Sequence, residues 1–233
     1  MFMTNFRCNL AVSALPSSGP FAEFAAVSSA GPVGGFGLAG GEALTETARY
    51  RVKRAIDRVV ACLALVALLP LMVTIAAVIR LEGTGPALLR ETRVGFRERR
   101  FGCYTFRTMS GAARVTRFGR FLRRSALDQL PQLLNVLRGE MSLVGPLAHA
   151  PDPYAAGRSF AELVPFYDRR HAVHPGITGW AQVNGWRGDL HLVNDIEMRV
   201  RYDLEYIYGW SLLFDLRVMA LALVRVFNDH DAV

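Results

Sequence analysis

From Val59 to Ile79 the chain runs without a single charge, and only Pro70 and Thr74 interrupt its apolar chemistry. A run of that length is enough to cross the hydrocarbon core of a bilayer as one helix, so it must be buried in protein or in lipid. Two features argue against a plain span. Pro70 sits in the middle, where a missing N–H and a ring clash kink or break a helix. Positive charge also flanks both ends, with Arg51, Lys53, Arg54 and Arg58 before the run and Arg80, Arg90 and Arg93 after it. Cytoplasmic flanks are the positive ones, so both ends are expected on one side. A kinked, re-entrant helix hairpin dipping into one leaflet meets both observations, with Pro70 at its turn and Lys53 and Arg54 at the headgroups. A straight transmembrane helix is the alternative.

Hydrophobic residues make up 52% of the 233 positions, enough for one good-sized core and, by default, one folded domain. The net charge of +7 matters less than its distribution. Arg51 to Arg124 carry 16 Lys/Arg against 4 Asp/Glu, which leaves the remainder net acidic. A basic block beside an apolar run suits an anionic membrane face or a polyphosphate ligand. No helix-turn-helix, zinc or aromatic RNA-binding signature accompanies the arginines, so nucleic acid is not an expected partner. Cys8, Cys62 and Cys103 are widely spaced and lack metal-ligand spacing, as expected of reduced thiols in or facing the cytoplasm. Residues 1–48 are rich in Ala, Gly, Ser and Pro and show no helix or strand period, which predicts a disordered tail. A signal peptide is a poor reading of them, because Cys8 to Leu15 is a short apolar core behind a single Arg7.

The densest chemistry lies between Ser125 and Pro146. Ser125 is placed to cap a helix that starts there, with Asp128 three positions on as a weak capping box. Leu130, Leu133, Leu134 and Leu137 recur at helical spacing, Pro131 fits the first turn, and Gly139 suits a left-handed cap. Asp128 and Gln129 would then sit in a first helical turn, where free N–H groups favour anions. Arg117, Arg120, Arg123 and Arg124 crowd the same approach. A carboxylate among guanidiniums stays ionised, and a phosphate-bearing substrate would be drawn there. The plainer alternative makes Asp128 a cap and the arginines a solvated face.

Elsewhere, Gly83 to Pro86 reads as a turn, with short strands around Ala87 to Leu89 and Phe101 to Phe106. Arg93, Arg97, Arg99 and Arg100 make a basic loop between them. Val115 to Arg124 reads as an amphipathic helix able to lie at a membrane surface. Helices are expected around Phe160 to Arg170, from Asp195 to Tyr208 and from Trp210 to Phe227, and a strand over Ala181 to Gly188.

Five ordered blocks make the chain resemble the bacterial sugar transferase family of monotopic polyprenyl-phosphate hexose-phosphate transferases. They are Lys53-Arg54-Ala-Ile-Asp57, Arg93-Val-Gly95, Phe106-Arg107-Thr-Met109, the stretch from Leu127 to Pro146, and Pro175-Gly-Ile-Thr-Gly-Trp-Ala-Gln-Val-Asn-Gly185. The resemblance covers about Tyr50 to Phe227. It implies an α/β (α+β), helix-rich monotopic membrane protein with a re-entrant membrane helix, surface amphipathic helices and a small sheet. The organisation expected is a tail over 1–48, basic flank and membrane helix over 49–82, a cytoplasmic transferase domain over 83–228 and a tail over 229–233. The implied reaction, at the cytoplasmic face of the bacterial inner membrane, moves a hexose phosphate from a UDP-hexose to undecaprenyl phosphate and begins exopolysaccharide or O-antigen assembly. Trp186-Arg-Gly188 and Asp203-Leu-Glu-Tyr-Ile207 look most like members that use UDP-glucose or UDP-galactose.

By the same resemblance Asp128 is the nucleophile that carries a covalent phosphosugar, with Gln129 beside it and Mg²⁺ as cofactor, Asp128 being a candidate ligand. Arg93, Arg107, Arg123, Arg124 and Pro146 fall at or near phosphate-contact positions, and Gln182 and Arg187 are candidates for the nucleotide sugar. Inner-membrane lipids and a second copy or a paralogue are the implied partners. Four features depart from the family pattern: Gln129 replaces a Glu, Thr105 a Lys, and Leu147-Ala148 an Arg-Pro, while the Met109 to Val115 segment is short. The alternative they raise is a catalytically weakened or inactive member acting as a membrane-bound binding or regulatory protein.

Overall fold

The apolar run lies within one helix, α1 (Glu42–Glu82), which passes through Pro70 without a turn. Pro70 cannot donate to the carbonyl one turn back, and the Thr74 hydroxyl donates to the Pro70 carbonyl at 2.9 Å. No hairpin forms at the proline, and α1 begins at Glu42, inside the stretch expected to lack structure. The computed structural model describes residues 42–110, 114–151, 154–155, 158–186 and 193–228. The tail up to residue 41, Ala112 and Ala113, Arg187 and residues 229–233 lie outside the described residues.

One stripe of α1 faces the rest of the unit formed by Arg49–Val233. Lys53, Asp57, Ala61, Met72, Ile75 and Ile79 are buried along it, and Ala64, Leu65 and Leu68 pack between them. Their spacing is that of a helix face. The opposite face leaves Val59, Leu63, Val66, Leu69 and Val73 exposed. Ala48–Glu82 is long and apolar enough to cross a membrane, yet both ends of this segment are fastened to the same unit. At the N-terminal end Arg54 donates to the carbonyls of Met141 and Gly139, each at 2.6 Å. At the C-terminal end Arg107 donates to the carbonyls of Thr84, Ile79 and Gly83 at 2.6, 3.0 and 3.0 Å.

Strands β1 (Leu88–Val94) and β2 (Arg100–Phe106) form an antiparallel hairpin in register from Leu88 with Phe106 to Val94 with Arg100. Arg93 and Arg100, expected in the basic loop, are therefore strand residues, because alternation of small and apolar positions in β2 carries pairing to the end of both strands. Phe106 joins Met72, Ile75, Ile79, Ala87 and Leu122 in one apolar cluster, and Cys103 joins Ala61, Leu133, Val136 and Met141 in another.

Helix α2 (Arg117–Arg124) starts on Thr116, whose hydroxyl accepts from the Gly119 N–H at 2.8 Å. Ser125 ends α2 instead of starting the next helix, donating to the carbonyl of Phe121 at 2.8 Å. A helix begun at Ser125 would carry Pro131 in its second turn and lose a backbone bond. The chain instead takes a left-handed residue at Ala126, a 3₁₀ turn over Leu127–Gln129, and restarts as α3 (Gln132–Arg138) directly after Pro131. Gly139 closes α3 in the left-handed conformation at φ 82°, as its sequence position predicts.

Short strand β3 (Ser142–Val144) pairs in parallel with β6 (Gly176–Thr178), and β4 (Tyr154–Ala155) pairs with β5 (Arg158–Ser159). The helix expected from Phe160 to Arg170 splits into α4 (Phe160–Leu163) and a 3₁₀ helix over Tyr167–Ala172. Pro165 explains the split, since the residue before a proline is pushed to extended backbone and Val164 has φ −122° and ψ 123°. The expected strand over Ala181 to Gly188 is replaced by a single turn, α5 (Trp180–Val183). Helix α6 (Val193–Tyr208) buries Ile196, Val200, Leu204 and Ile207 and packs on α5 and the 3₁₀ helix. Helix α7 (Leu212–Asn228) packs on α5, β3 and β6.

A buried charge cluster joins α1 to α7. Lys53 Nζ stands 2.7 Å from Asp215 Oδ2 and 3.5 Å from Asp57 Oδ2. Tyr206 and Trp210 donate to Asp215 at 2.7 and 3.2 Å, and Ser142 donates to Asp57 at 2.5 Å. Lys53→Met leaves two acids buried without their cation and is expected to cost about 3–5 kcal/mol. Chemical unfolding in detergent measures it, and adding Asp57→Leu and Asp215→Leu is expected to recover most of the loss.

Candidate active site

Asp128 lies in the 3₁₀ turn between α2 and α3, half-buried, with Oδ1 out of contact with solvent. The turn packs against β2 and α2. Phe106, Leu122 and Leu127 share one apolar cluster, which seats the turn that carries Asp128 on both elements. Arg123 Nε donates to Thr108 Oγ1 at 2.9 Å, which ties α2 to the end of β2. Arg124 is exposed. Arg107 commits three of its five N–H donors to carbonyls at the end of α1 and so caps that helix. A cavity of about 130 Å³ opens beside it, lined by Ile79, Glu82, Gly83, Thr84, Arg107, Met109, Ser110 and Thr116.

A second group surrounds the β3–β6 pair. Pro146 is buried, and its carbonyl accepts from the Gly176 N–H at 2.9 Å. Gln182 is 9% exposed on α5, and its Oε1 is buried with no hydrogen-bond partner among the described residues. Arg93 pairs with Glu91 at 2.5 Å on β1. Lys53 and Arg54, read as headgroup contacts, point inward instead, one to the buried acids and the other to the carbonyls at the cap of α3 and just beyond it. Among the described residues no three His, Cys, Asp or Glu side chains cluster to hold a metal ion.

Residues 48–229 match the bacterial sugar transferase family. The chain belongs to that family. It is 46% identical over 194 residues to the undecaprenyl-phosphate glucose phosphotransferase of Komagataeibacter xylinus, covering 77% of this chain and 36% of that protein. It is 41% identical over 182 residues to the exopolysaccharide production protein PSS of Rhizobium leguminosarum bv. phaseoli, covering 72% of this chain and 91% of that one. A third relative, the UDP-N-acetylgalactosamine-undecaprenyl-phosphate N-acetylgalactosaminephosphotransferase of Aeromonas hydrophila, is 37% identical over 195 residues, covering 78% and 45%. The chain thus spans less than half the length of the first and third of these sugar transferases.

Sequence reasoning missed the ion pair that supports the Pro146 loop of this family member. Arg170 donates to Asp203 Oδ2 at 2.6 Å and to the Leu147 carbonyl at 3.1 Å. Both side chains are buried, and burial pushes the Asp203 carboxyl above its ordinary range despite Arg170. The only signal in the sequence was an arginine in one helical segment and an aspartate in another.

His174, at the head of the Pro-Gly-Ile-Thr-Gly block, stacks between Tyr50 and Phe96. Its backbone N–H donates to the Tyr50 oxygen at 3.0 Å, and the same hydroxyl is hydrogen-bonded to Nδ1 at 2.6 Å. Burial first, then Arg54, Arg58 and Lys53, lower its pKa to about 3 from the ordinary 6.5. As pH falls the unfolded chain therefore takes up the proton first. This contribution to stability is complete above pH 6.5 and drains away toward about 3. Unfolding midpoints measured from pH 6.5 downward are expected to decline, and less steeply in His174→Phe. Parallel slopes would remove His174 from the acid response.

Proposed function

We propose that the chain moves a hexose phosphate from a UDP-hexose to undecaprenyl phosphate, with Asp128 as nucleophile. The observation that carries this reading is the position of Asp128, with one carboxylate oxygen buried, in the turn between α2 and α3 of a chain of this family. An Asp128 oxygen attacks the sugar-linked phosphorus of the UDP-hexose, the bond to UMP breaks, and UMP leaves. An oxygen of undecaprenyl phosphate then attacks the same phosphorus and releases the Asp128 carboxylate, leaving the hexose on a lipid diphosphate. In-line displacement of this kind needs positioning and neutralisation of charge on phosphate oxygens. Arg123 and Arg124, in the last turn of the helix that leads into the Asp128 turn, would supply such charge.

Asp128 is a hard carboxylate donor of the kind that suits Mg²⁺ sharing its sphere with substrate phosphates, where the ion would neutralise phosphate charge. Glucose is the proposed hexose, following the name of the Komagataeibacter relative; the Aeromonas relative is named for N-acetylgalactosamine. The product begins exopolysaccharide assembly. The reading of α1 as a membrane-seated element at the cytoplasmic face is supported by its exposed apolar face and by its two ends anchored to one unit. On α7, Leu213, Leu216 and Leu223 are exposed as well and extend the apolar surface offered to lipid.

One observation favours a second reading, an inactive binding or regulatory member. Arg107 is committed to backbone carbonyls while Gln129, Thr105 and Leu147 lack charge. UMP release from UDP-glucose by the nanodisc protein, with undecaprenyl phosphate and Mg²⁺, separates the two. Turnover is expected, and Asp128→Asn is expected to lower it by about a thousandfold or more. Turnover unchanged in Asp128→Asn would overturn the covalent role. A silent wild type that Gln129→Glu revives would establish the second reading.

A further inference from the structure

Arg117, Arg120, Arg123 and Arg124 of α2 are exposed, but one of them is held. Arg123 Nε donates to Thr108 Oγ1 at 2.9 Å, and the side chains of the other three form no hydrogen bond among the described residues. The partner is a fixed point. Thr108 is buried, its carbonyl oxygen accepts from the Thr116 N–H at 3.1 Å where α2 is capped, and a Cβ on Gly119 would overlap that same oxygen. One residue thus meets the cap, the first turn and the last turn of the helix Arg117–Arg124. Turning or sliding α2 would break all three contacts together.

The hydroxyl also decides how Arg123 can meet an anion. A guanidinium carries one N–H on Nε and four on its two terminal nitrogens. An oxyanion can be gripped along the edge that includes Nε, or end-on by the terminal pair. Thr108 takes Nε, so the end-on fork is the mode left. An arginine gives up rotamer freedom when it binds, and here part of that freedom is already gone in the folded chain, which favours binding. The Arg123 carbonyl accepts from the Ala126 N–H at 3.3 Å, and the Ala126 carbonyl accepts from the Gln129 N–H at 3.2 Å. The turn that carries Asp128 therefore hangs on the residue whose guanidinium Thr108 holds.

We propose that Thr108 is a positioning residue: its hydroxyl holds Arg123 so that the terminal fork takes the two non-bridging oxygens of the sugar-linked phosphate of the UDP-hexose, at the phosphorus that Asp128 attacks. This rests on the reading of Asp128 given above. Thr108 itself touches no substrate, and the unheld arginines of α2 offer charge without a fixed direction.

The test uses the full chain in nanodiscs. Calorimetric titration with UDP-glucose in an Asp128→Asn background measures the grip without turnover. Thr108→Val, which keeps the shape and drops the hydroxyl, is expected to weaken binding about tenfold, whereas Thr108→Ser is expected to retain the affinity of its parent. Arg123→Ala is expected to weaken binding at least as far, and Thr108→Val to add nothing to that loss, because Thr108 acts through Arg123. Nitrogen NMR of the arginine Nε–H signals, with Arg123 assigned from Arg123→Ala, is expected to show that signal move in Thr108→Val and stay in Thr108→Ser. Equal losses from Thr108→Val with and without Arg123 would make Thr108 framework only and overturn the proposal. So would an Arg123 signal indifferent to the hydroxyl, or a parent that does not bind UDP-glucose. UMP release by the chain with Asp128 intact separates the two readings: if it is absent while the binding pattern holds, the Asp128 chemistry fails and the assignment of Thr108 to the phosphate grip stands.

Discussion

The orientation of α1 rests on the contact between Lys53 and the paired acids Asp57 and Asp215. An apolar helix has little reason to prefer one rotation over another, because Val59 or Leu63 could fill a hydrophobic groove as well as Ala61 or Leu65. A buried lysine changes that. Turning α1 by one residue would strand Lys53 away from Asp215 and leave three charges without partners, at several kcal/mol. Replacing such a cluster wholesale by apolar groups is often neutral, so its contribution here is to register more than to net stability. Once that register holds, which leucines and valines of α1 remain outside is settled, and so is the surface available to lipid.

The basic block divides by the same logic. Arg54 sits on the Gly139 carbonyl at the cap of α3 and on the Met141 carbonyl just beyond it, and Arg107 on carbonyls at the end of α1. Cations at helix C-termini meet the negative end of the macrodipole and satisfy orphan carbonyls. These two arginines are therefore framework, whereas Arg117, Arg120, Arg123 and Arg124 on α2 are exposed. A count of arginines overstates the positive potential that the surface presents.

Much of this was readable from local chemistry. The hairpin, Gly139 as a left-handed cap, and helices α6 and α7 follow from alternation, capping and periodicity. The errors cluster at prolines and serines, where two local rules compete. Ser125 is as good at closing a helix by bonding back to Phe121 as at opening one, and Pro131 six residues later decides for the first. Pro165 did the same to the helix expected across Val164. Pro70, by contrast, did not stop α1, because packing on both sides of it outweighs one lost bond. What could not be read were pairings between distant segments: Lys53 with Asp215, and Arg170 with Asp203. Nothing in a buried charge's own neighbourhood in sequence names its partner.

The β3–β6 crossing explains why the Pro146 and Gln182 groups keep a common geometry although their loops differ. A Cβ on Gly145 would stand 2.4 Å from the His174 carbonyl oxygen, on Gly176 2.2 Å from the Gly145 nitrogen, and on Gly179 2.3 Å from the Gly145 carbonyl oxygen. No side chain fits, so the two backbones touch, and the loops that leave them begin from fixed positions. Beneath one of these loops Arg170 reaches the Leu147 carbonyl, the position at which the chain lacks the cation its resemblance implies. That guanidinium cannot stand in for the missing charge. It is buried, and Asp203 takes its charge while the loop takes one of its donors. Shape and charge are separable in this loop: glycine contacts fix the backbone, while its Leu147 and Ala148 carry no charge.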